Sequence, residues 1–404
     1  MENKSKLKAS WAVGFTVASM WFGTHVGGGF ASGNQVVTYF SQYGGISLIY
    51  PIIAMGLLAL VMYVMMDYSR LIGATNYKDT FRSIYPAPWM EVFFEIFYII
   101  ILLAGVAGAV AGAGEVLANF IGVAYVGAGR IIMNLIIVVL LIVLCIFGVN
   151  LVRAASTVLS IGILITTAIV VIAGFAADFD TICAQLLAEN NIEAAAHSSA
   201  PVKQFIMGVI NYAGFQCVSI PVLIVGCTEL SHKGVKRASI LGWLMNGLAL
   251  CASAAMLSRW YPLLQALQAN GIEGFLRATS GIPNQTVLNL IGIKWIIFIF
   301  SVLLFCAFVS TSVTLVYTMI QRFEGSFFPK SVKSEKVRSI CVGVIVIAIC
   351  FSISLLGLGN IVKYAYGYDG YYAILVVFIP VLIWGIPKLK KLRALQADTD
   401  YMKN

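Results

Sequence analysis

Long apolar segments separated by short polar stretches alternate along almost the whole 404-residue chain. An α-helix needs roughly 20 apolar residues to cross the hydrocarbon core of a bilayer, and most of the segments reach this length. Backbone groups in hydrocarbon must be satisfied within the spanning element, so these unbroken runs predict transmembrane helices. The pattern predicts ten spans, near residues 9–41, 45–71, 90–119, 128–149, 152–177, 202–229, 235–261, 292–321, 337–357 and 360–387.

The composition supports a lipid environment for most of the chain. Hydrophobic residues make up 60% of it and charged residues only 11%, whereas soluble domains average about 25% charged residues. We therefore expect an all-α membrane protein with one polytopic domain over residues 1–404, ending in a tail at 388–404. The two longest connections on the outer side, 178–201 and 262–291, carry helix-like patterns that suit caps or ordinary surface helices.

The positive charges are distributed unevenly between the predicted loops. With the N-terminus inside, 20 of the 26 Lys and Arg residues fall on the cytoplasmic side. Cytoplasmic loops of membrane proteins are enriched in these residues, so we expect a multi-pass protein of the cell membrane with both termini in the cytoplasm. The basic residues form no stripe for a nucleic acid. The six on the outer half are Arg130, Lys203, Arg259, Arg277, Lys294 and Lys363.

Three consecutive glycines, Gly27, Gly28 and Gly29, interrupt the first apolar segment near its middle. Each glycine disfavours a helix interior by about 1 kcal/mol relative to alanine. Unwound backbone at membrane depth is tolerated where it lines a cavity or is buried in protein, and it points two half-helix ends at one place. We predict a solute site here that also includes His25 and Phe30. A glycine face for close helix packing is the alternative interpretation.

A second interruption lies in the sixth segment, where polar residues and a glycine precede Pro221. This segment is the first span of the second half of the chain (202–387), just as the first segment is the first span of the first half (9–177). Each half has five spans, an odd number, so the two halves cross the membrane in opposite directions. Paired breaks at corresponding positions of inverted halves indicate the central site of a transporter. The residues assigned to the site from this segment are Tyr212, Gly214, Phe215 and Gln216.

Ionisable residues are rare inside the predicted spans. Asp369 lies well within the last span, flanked by Gly367 and Gly370. An ionisable residue at membrane depth is a functional candidate by default. We assign Asp369 to the solute site, as a group that binds an amine or cation or carries a coupling proton; a purely structural pairing with Lys363 or His25 stays open.

The plan of ten spans with breaks in spans one and six resembles the LeuT-type fold of the amino acid–polyamine–organocation superfamily. The stretch GGGFASGNQ resembles the glycine-rich motif of YkvI-like bacterial membrane proteins. The resemblance implies alternating access, in which spans one, two, six and seven rock against spans three, four, eight and nine.

The same resemblance implies a sodium site. In sodium-coupled members of the fold, carbonyl groups beside the break in span one face an Ala-x-x-Ser/Thr-Ser/Thr pattern in span eight. Hydroxyl groups that only bond carbonyls of their own helix are the alternative interpretation. The matching residues of this chain are Gly23, Val26, Ala307, Ser310 and Thr311.

Together these features predict a secondary transporter of a small organic solute, an amino acid or related amine, with sodium as the coupling ion and no organic cofactor. The alternatives are proton coupling through Asp369 or His25, a non-transporting solute sensor of the same fold, and an uncoupled channel. We do not expect an enzyme, because no nucleophile–base set or metal-ligand cluster accompanies the three histidines. The expected partners are the solute and the lipid bilayer, and nothing in the sequence specifies the oligomeric state.

Overall fold

The computed structural model describes residues 11–145, 149–323 and 334–401. The predicted start of the first span at residue 9 lies outside these ranges, as do Lys4, Lys6, Lys8, Lys330, Lys333 and Lys403. The α-helices, numbered α1 to α19 in chain order, are Trp11–His25, Gly28–Ala31, Asn34–Tyr39, Tyr50–Ile72, Tyr77–Ile84, Glu91–Ile121, Gly127–Val143, Val149–Ala176, Phe179–Asn190, Pro201–Phe205, Tyr212–Phe215, Ile220–Gly226, His232–Ala269, Pro283–Ile291, Lys294–Phe323, Glu335–Ser354, Leu358–Asn360, Tyr366–Ala373 and Ile386–Tyr401.

Seven helical segments of the described chain are long and apolar enough to cross a membrane, so the chain is a multi-pass helical membrane protein. Ile161–Ala176 and Phe179–Asn190 meet at 76° and add an eighth if they form one broken span. The helix Gly127–Val143 is shorter, and the first segment is divided, so the count of ten spans stays a prediction. The seven segments are Ser47–Ile72, Pro88–Ile121, Pro201–Gly226, His232–Ala269, Lys294–Phe323, Lys336–Ser354 and Leu358–Gln396.

The first apolar segment leaves the helical conformation at its glycines. Helix α1 ends at His25, Gly27 has extended backbone, and helical geometry resumes at Gly28. Helix α2 lasts only four residues. Gly33, with a left-handed backbone at φ 82°, separates α2 from α3. A residue without a Cβ adopts this conformation at little cost, so the sequence permits a chain that turns twice within one segment.

The sixth segment is irregular but keeps helical backbone from Pro201 to Gly226. A π-helical turn at Ile206–Asn211 precedes α11, and a 3₁₀ turn at Gln216–Ser219 follows it before α12. A 3₁₀ turn is tighter than an α-helix, and single π turns are frequent at functional sites. The interruption in this segment is therefore a change of helical pitch, unlike the extended residue of the first segment.

Helix α6 occupies the middle of the bundle, packed against α7, α15, α16 and α18. Its glycines permit this approach, because small residues let membrane helices come close together. A Cβ built on Gly112 would lie 2.3 Å from Cζ of Phe308 in α15, and one on Gly105 would lie 2.8 Å from Cδ1 of Leu315. Helix α1 packs along α13, which also packs against α4.

Two helices continue beyond the predicted ends of their spans. Helix α13 continues to Ala269, past the predicted end at 261, so the first part of the 262–291 connection extends this helix and does not form a separate cap. In the predicted tail, α19 runs from Ile386 to Tyr401. The other long connection contains a helix of its own, α9.

Candidate functional site

A cavity of about 130 Å³ lies at the break in the first segment. Its wall comes from α1 and α2, from α6 and α15, from the sixth segment and from the last one. Pockets between helices of a bundle, at points where a helix is discontinuous, are the usual solute sites of helical transporters. The lining residues are Thr24, His25, Gly27, Gly28, Gly29, Gln35, Ile101, Leu102, Gly105, Gly108, Ala109, Phe215, Gln216, Val218, Phe308, Thr311, Leu315, Leu358 and Tyr366.

Neighbouring side chains pack closely against two glycines of the break. A Cβ built on Gly28 would lie 2.3 Å from Cδ1 of Phe308, and one on Gly29 would lie 2.5 Å from Nε2 of Gln35. Gly27 has no atom within 4 Å of a built Cβ. Two of the three glycines therefore make room for neighbouring side chains, while the third leaves open space.

Hydrogen bonds connect the break to the sixth segment. His25 Nε2 and Tyr212 Oη are 2.8 Å apart, and Gln216 Nε2 donates to the same hydroxyl at 3.3 Å. Thr24 Oγ1 donates to Ser219 Oγ at 3.2 Å. These contacts join the two irregular segments, and residues of both segments line the cavity.

Gln35 supplies an unused acceptor at the cavity. The residue is 6% exposed, and its Oε1 has no hydrogen-bond partner among the described residues. A buried amide oxygen without a partner costs about 1–3 kcal/mol. A hydrogen-bond donor on a solute, such as an ammonium group, would recover this energy.

Buried aromatic rings pack behind Phe215 of the cavity wall. The ring centroid of Tyr212 lies 5.0 Å from that of Phe215, 5.3 Å from Tyr39 and 4.8 Å from Phe40. Offset and edge-on arrangements at such distances are favourable for aromatic pairs. The cluster fills the space between the cavity and α3 with side chains.

The start of α14 and the loop before it are fixed to the broken first segment around the short helix α2. Asn284 Nδ2 donates to the carbonyl oxygen of Ala31 at 2.8 Å, and its backbone N–H donates to that of Ser32 at 3.0 Å. In return, Asn34 Nδ2 donates to the carbonyl oxygen of Gly281 at 3.0 Å. The loop and the broken segment thus satisfy each other's backbone groups.

A buried ion pair holds the same loop to α6. Arg277 donates from Nε to Glu115 Oε1 at 2.9 Å and from Nη2 to Oε2 at 3.0 Å. Glu115 is 4% exposed, and the guanidinium carbon lies 5.4 Å from the ring centroid of Tyr125. A bidentate pair of this kind fixes orientation as well as distance. The loop is therefore attached to two helices.

The predicted sodium ligands lie partly in the cavity wall. Thr311 belongs to the wall, and α15, which carries it, packs against α2. Ser310 Oγ donates to the carbonyl oxygen of Ala307 at 3.1 Å, which is the local hydrogen bond that the alternative interpretation describes. That bond uses the proton of the hydroxyl and leaves lone pairs of its oxygen for a cation. Val26 is buried, and Gly23 lies two residues before the end of α1.

Asp369 lies outside the cavity wall and without a partner. It is 2% exposed, and neither carboxylate oxygen has a hydrogen-bond partner among the described residues. The structural pairing with Lys363 or His25 is wrong, because Lys363 Nζ lies 5.2 Å from the ring centroid of Tyr364 and His25 bonds Tyr212.

The cavity collects many, but not all, of the residues assigned from the sequence. His25, Gly27, Gly28, Gly29, Phe215, Gln216 and Thr311 line it, whereas Phe30, Tyr212, Gly214 and Asp369 lie behind its wall. Sequence reasoning missed Thr24 and Gln35, although both lie in or beside the glycine-rich stretch. It also missed Phe308 and Tyr366, whose aromatic side chains are indistinguishable from packing residues in sequence.

Comparison with known proteins gives matches at the level of structure. Neither a family model nor a curated protein matches the sequence. The structure of MhsT in complex with L-phenylalanine matches with a TM-score of 0.54 and 16% identity, covering 96% of each chain. An inward-facing conformation of Mhp1 matches with a TM-score of 0.54 and 13% identity, over 93% of this chain and 77% of that one.

A third similar structure is a Na⁺-coupled sialic acid symporter in a substrate-bound outward-open state. Its TM-score is 0.51 at 14% identity, with 91% of this chain and 79% of the symporter covered. The chain has the LeuT-type fold. At this level of identity the similarity concerns the path of the backbone, so the ligand chemistry has to be argued from the cavity itself.

Proposed function

We propose that the protein is a secondary transporter that moves a small amine-bearing organic solute, such as an amino acid, by alternating access coupled to sodium. The observation that carries this proposal is the partly open cavity at the break in the first segment, walled by helices of both halves of the chain. A binding site at the junction of two repeats can be opened to either side when one set of helices rocks against the other.

The chemistry of the wall favours a small solute with a hydrogen-bond donor. The volume of about 130 Å³ is that of a compact molecule. Gln35 Oε1 is an unpaired acceptor for an ammonium group. The interrupted backbone around Gly27 offers peptide groups that are not all bonded within a helix, which suits a carboxylate. MhsT, one of the similar structures, is in complex with L-phenylalanine.

Sodium as the coupling ion is supported by neutral oxygen ligands next to the solute cavity. Thr311 is in the cavity wall, and Ser310 and Ala307 precede it on the same helix. Hydroxyl and carbonyl oxygens are hard ligands of the kind that alkali and alkaline-earth cations prefer. The proposed set also includes the carbonyl groups of Gly23 and Val26 at the end of α1. One of the similar structures is a Na⁺-coupled symporter.

We propose that the structure corresponds to a state closed on the outer side. The start of α14 is bonded to α2 and the loop before it is bonded to α6, and the charge distribution assigns this loop to the side with the fewest basic residues. In the proposed cycle these bonds break when the site opens outward. The same charge distribution supports the proposed location in the cell membrane with both termini in the cytoplasm.

A ligand-stabilisation screen of the purified protein tests this function. Amino acids and related amines are added with sodium chloride or with potassium chloride, and the midpoint of thermal unfolding is recorded. We expect at least one compound to raise the midpoint, and to raise it further when sodium is present, because ligands that bind only the folded state stabilise it.

Uptake into proteoliposomes then separates transport from the alternatives. A transporter accumulates the radiolabelled compound under an inward sodium gradient, saturates, and exchanges it in counterflow. Binding without uptake would instead show a solute sensor, and uptake without saturation or counterflow would show a channel. Uptake that responds equally to sodium and potassium gradients would contradict sodium coupling.

A further inference from the structure

A buried carboxylate without a partner lies one helical turn from the wall of the solute cavity. Asp369 is 2% exposed, and both of its carboxylate oxygens lack hydrogen-bond partners among the described residues. Tyr366, three residues earlier on α18, belongs to the cavity wall. On the facing segment, Gln216 is also in the wall.

An ionised carboxylate in this position would be strongly unfavourable. Transfer of an isolated charge from water to a low-dielectric interior costs many kcal/mol, and proteins avoid it by pairing or by neutralising the group. Pairing is absent among the described residues. The remaining solution is a neutral carboxylic acid, which carries one bound proton.

The residues named next around Asp369 supply no positive charge that could neutralise its carboxylate in place of the proton. Tyr366 and Tyr372 lie on its own helix, and Cys217 directly follows Gln216 on the facing segment. On α6, the positions that face this helix are Gly105 and Gly108, which come within 4 Å of the Tyr366 hydroxyl once a Cβ is built. None of these residues carries a cation.

Helices α11 and α18 are in close contact next to Asp369. A Cβ built on Gly214 would lie 2.2 Å from the carbonyl oxygen of Gly370, and one on Gly370 would lie 2.5 Å from the carbonyl oxygen of Asn211. Asn211 Nδ2 also donates to the carbonyl oxygen of Gly367 at 2.7 Å. The two segments therefore touch backbone to backbone beside a carboxyl group that is 2% exposed.

The helix of Asp369 is itself irregular on both sides. π-helical turns at Ile361–Ala365 and Ile374–Phe378 flank α18, and a third π turn at Ile206–Asn211 precedes α11 on the facing segment. Such turns cluster at functional sites in membrane and soluble helices. Both partners of the contact can therefore change their helical pitch locally.

We propose that Asp369 is a reversible proton-binding site, occupied while α11 and α18 are in contact and emptied when these helices separate. On uptake an O–H bond forms between one carboxylate oxygen and a proton from water. On release the same bond breaks and the proton returns to water. No other group has to change its covalent state. The use of this proton in a transport cycle, as a second coupled ion, rests on the proposed function.

Infrared spectroscopy of the purified protein tests the site without any transport measurement. The carboxylic C=O stretching band reports protonated carboxyl groups, and spectra are compared at neutral and at alkaline pH. We expect the wild type to show one such band at neutral pH that is absent from Asp369→Asn. The matched control is Asp180→Asn, which removes an exposed carboxylate of α9 and should leave the band in place. Identical bands in wild type and Asp369→Asn would overturn the proposal.

A pair of glycine variants tests the role of the helix contact. Gly214→Ala places a methyl group against the backbone of Gly370 and should separate α11 from α18, so the band should be lost at neutral pH. Gly367→Ala lies on the same helix, has no atom within 4 Å of its Cβ, and should retain the band. A band that survives Gly214→Ala would show that this contact does not control the proton.

The outcomes distinguish the proton site from the proposed function. An Asp369 band in a protein that moves no solute would support the proton site and contradict the transport proposal. Sodium-coupled transport by a protein without the band would contradict the proton site alone. Where both hold, an inward proton gradient should change solute uptake in the wild type and not in Asp369→Asn; an equal response in both would exclude Asp369 from coupling.

Discussion

The ring of Phe308 occupies the space where a side chain on Gly28 would begin, since a Cβ built on this glycine would lie 2.3 Å from Cδ1 of the ring. The same ring also lies against α6, because a Cβ on Gly112 would lie 2.3 Å from its Cζ. One aromatic side chain of α15 is thus held between glycines of two other helices. Phe308 also lines the cavity, so the size of the solute site depends on this arrangement.

Gly28→Ala should destabilise the protein by about 1–3 kcal/mol, the usual effect of forcing a methyl group into a packed interior. Gly27→Ala adds the same atom where the structure leaves open space, and its backbone at φ −94° accepts any residue. We expect a lower midpoint of thermal unfolding for the first variant and a near-wild-type midpoint for the second. Phe308→Leu should rescue Gly28→Ala in the double variant. Equal effects of the two alanine variants would contradict the packing described.

The sodium site predicts a loss of ion response in two hydroxyl variants. At a sodium concentration about 100-fold above Kd, binding stabilises the folded state by about 2.7 kcal/mol. Ser310→Ala with Thr311→Ala should abolish the sodium-dependent rise in the unfolding midpoint. Thr314→Ala is the matched control, because Thr314 is an exposed hydroxyl of the same helix that bonds the carbonyl oxygen of Ser310. A sodium response unchanged in the double variant would show that the cation binds elsewhere.

The break in the first segment could be predicted because its cause is local. Three adjacent glycines disfavour a helix whatever surrounds them, and the backbone leaves the helix at Gly27. The LeuT-type fold was expected from a resemblance of the ten-span plan, with breaks in spans one and six, to that fold. Segment ends were less predictable, since α13 continues to Ala269 through a stretch whose helix-like pattern suited a separate cap or surface helix.

The cavity wall opposite the break could not be predicted from the sequence. Phe308 and Tyr366 are apolar or aromatic residues in membrane helices, and such residues usually pack against neighbours or lipid. Only the packing of α15 against α2 and of α18 against α6 brings them to the site. The isolation of Asp369 is likewise a tertiary property, because the sequence offered Lys363 and His25 as partners and the fold directs both to other groups.

The ion pair between Glu115 and Arg277 should contribute strongly to stability because it is buried. Removal of one member of a buried pair leaves an uncompensated charge and typically costs about 3–5 kcal/mol. We expect Arg277→Gln to lower the unfolding midpoint sharply and the double variant with Glu115→Gln to recover part of the loss. The control pair is Arg82 and Glu91, whose arginine side chain is 51% exposed. Arg82→Gln should cost at most about 1 kcal/mol, and a similar cost for both arginine variants would argue against burial.

Asn284 should hold the loop before α14 on the broken segment. Asn284→Ala removes the donor to the carbonyl oxygen of Ala31, and a buried acceptor without a partner costs about 1–3 kcal/mol. Local opening should then become roughly five- to hundred-fold more frequent, since about 1.4 kcal/mol corresponds to a factor of ten. Hydrogen exchange followed by mass spectrometry should show faster exchange in peptides covering 28–34 and 277–286. Asn270→Ala, which removes only a bond to Ala266 of its own helix, should leave those peptides unchanged. Exchange at wild-type rates in Asn284→Ala would mean that the bonds from Arg277 and Asn34 suffice to keep the loop closed.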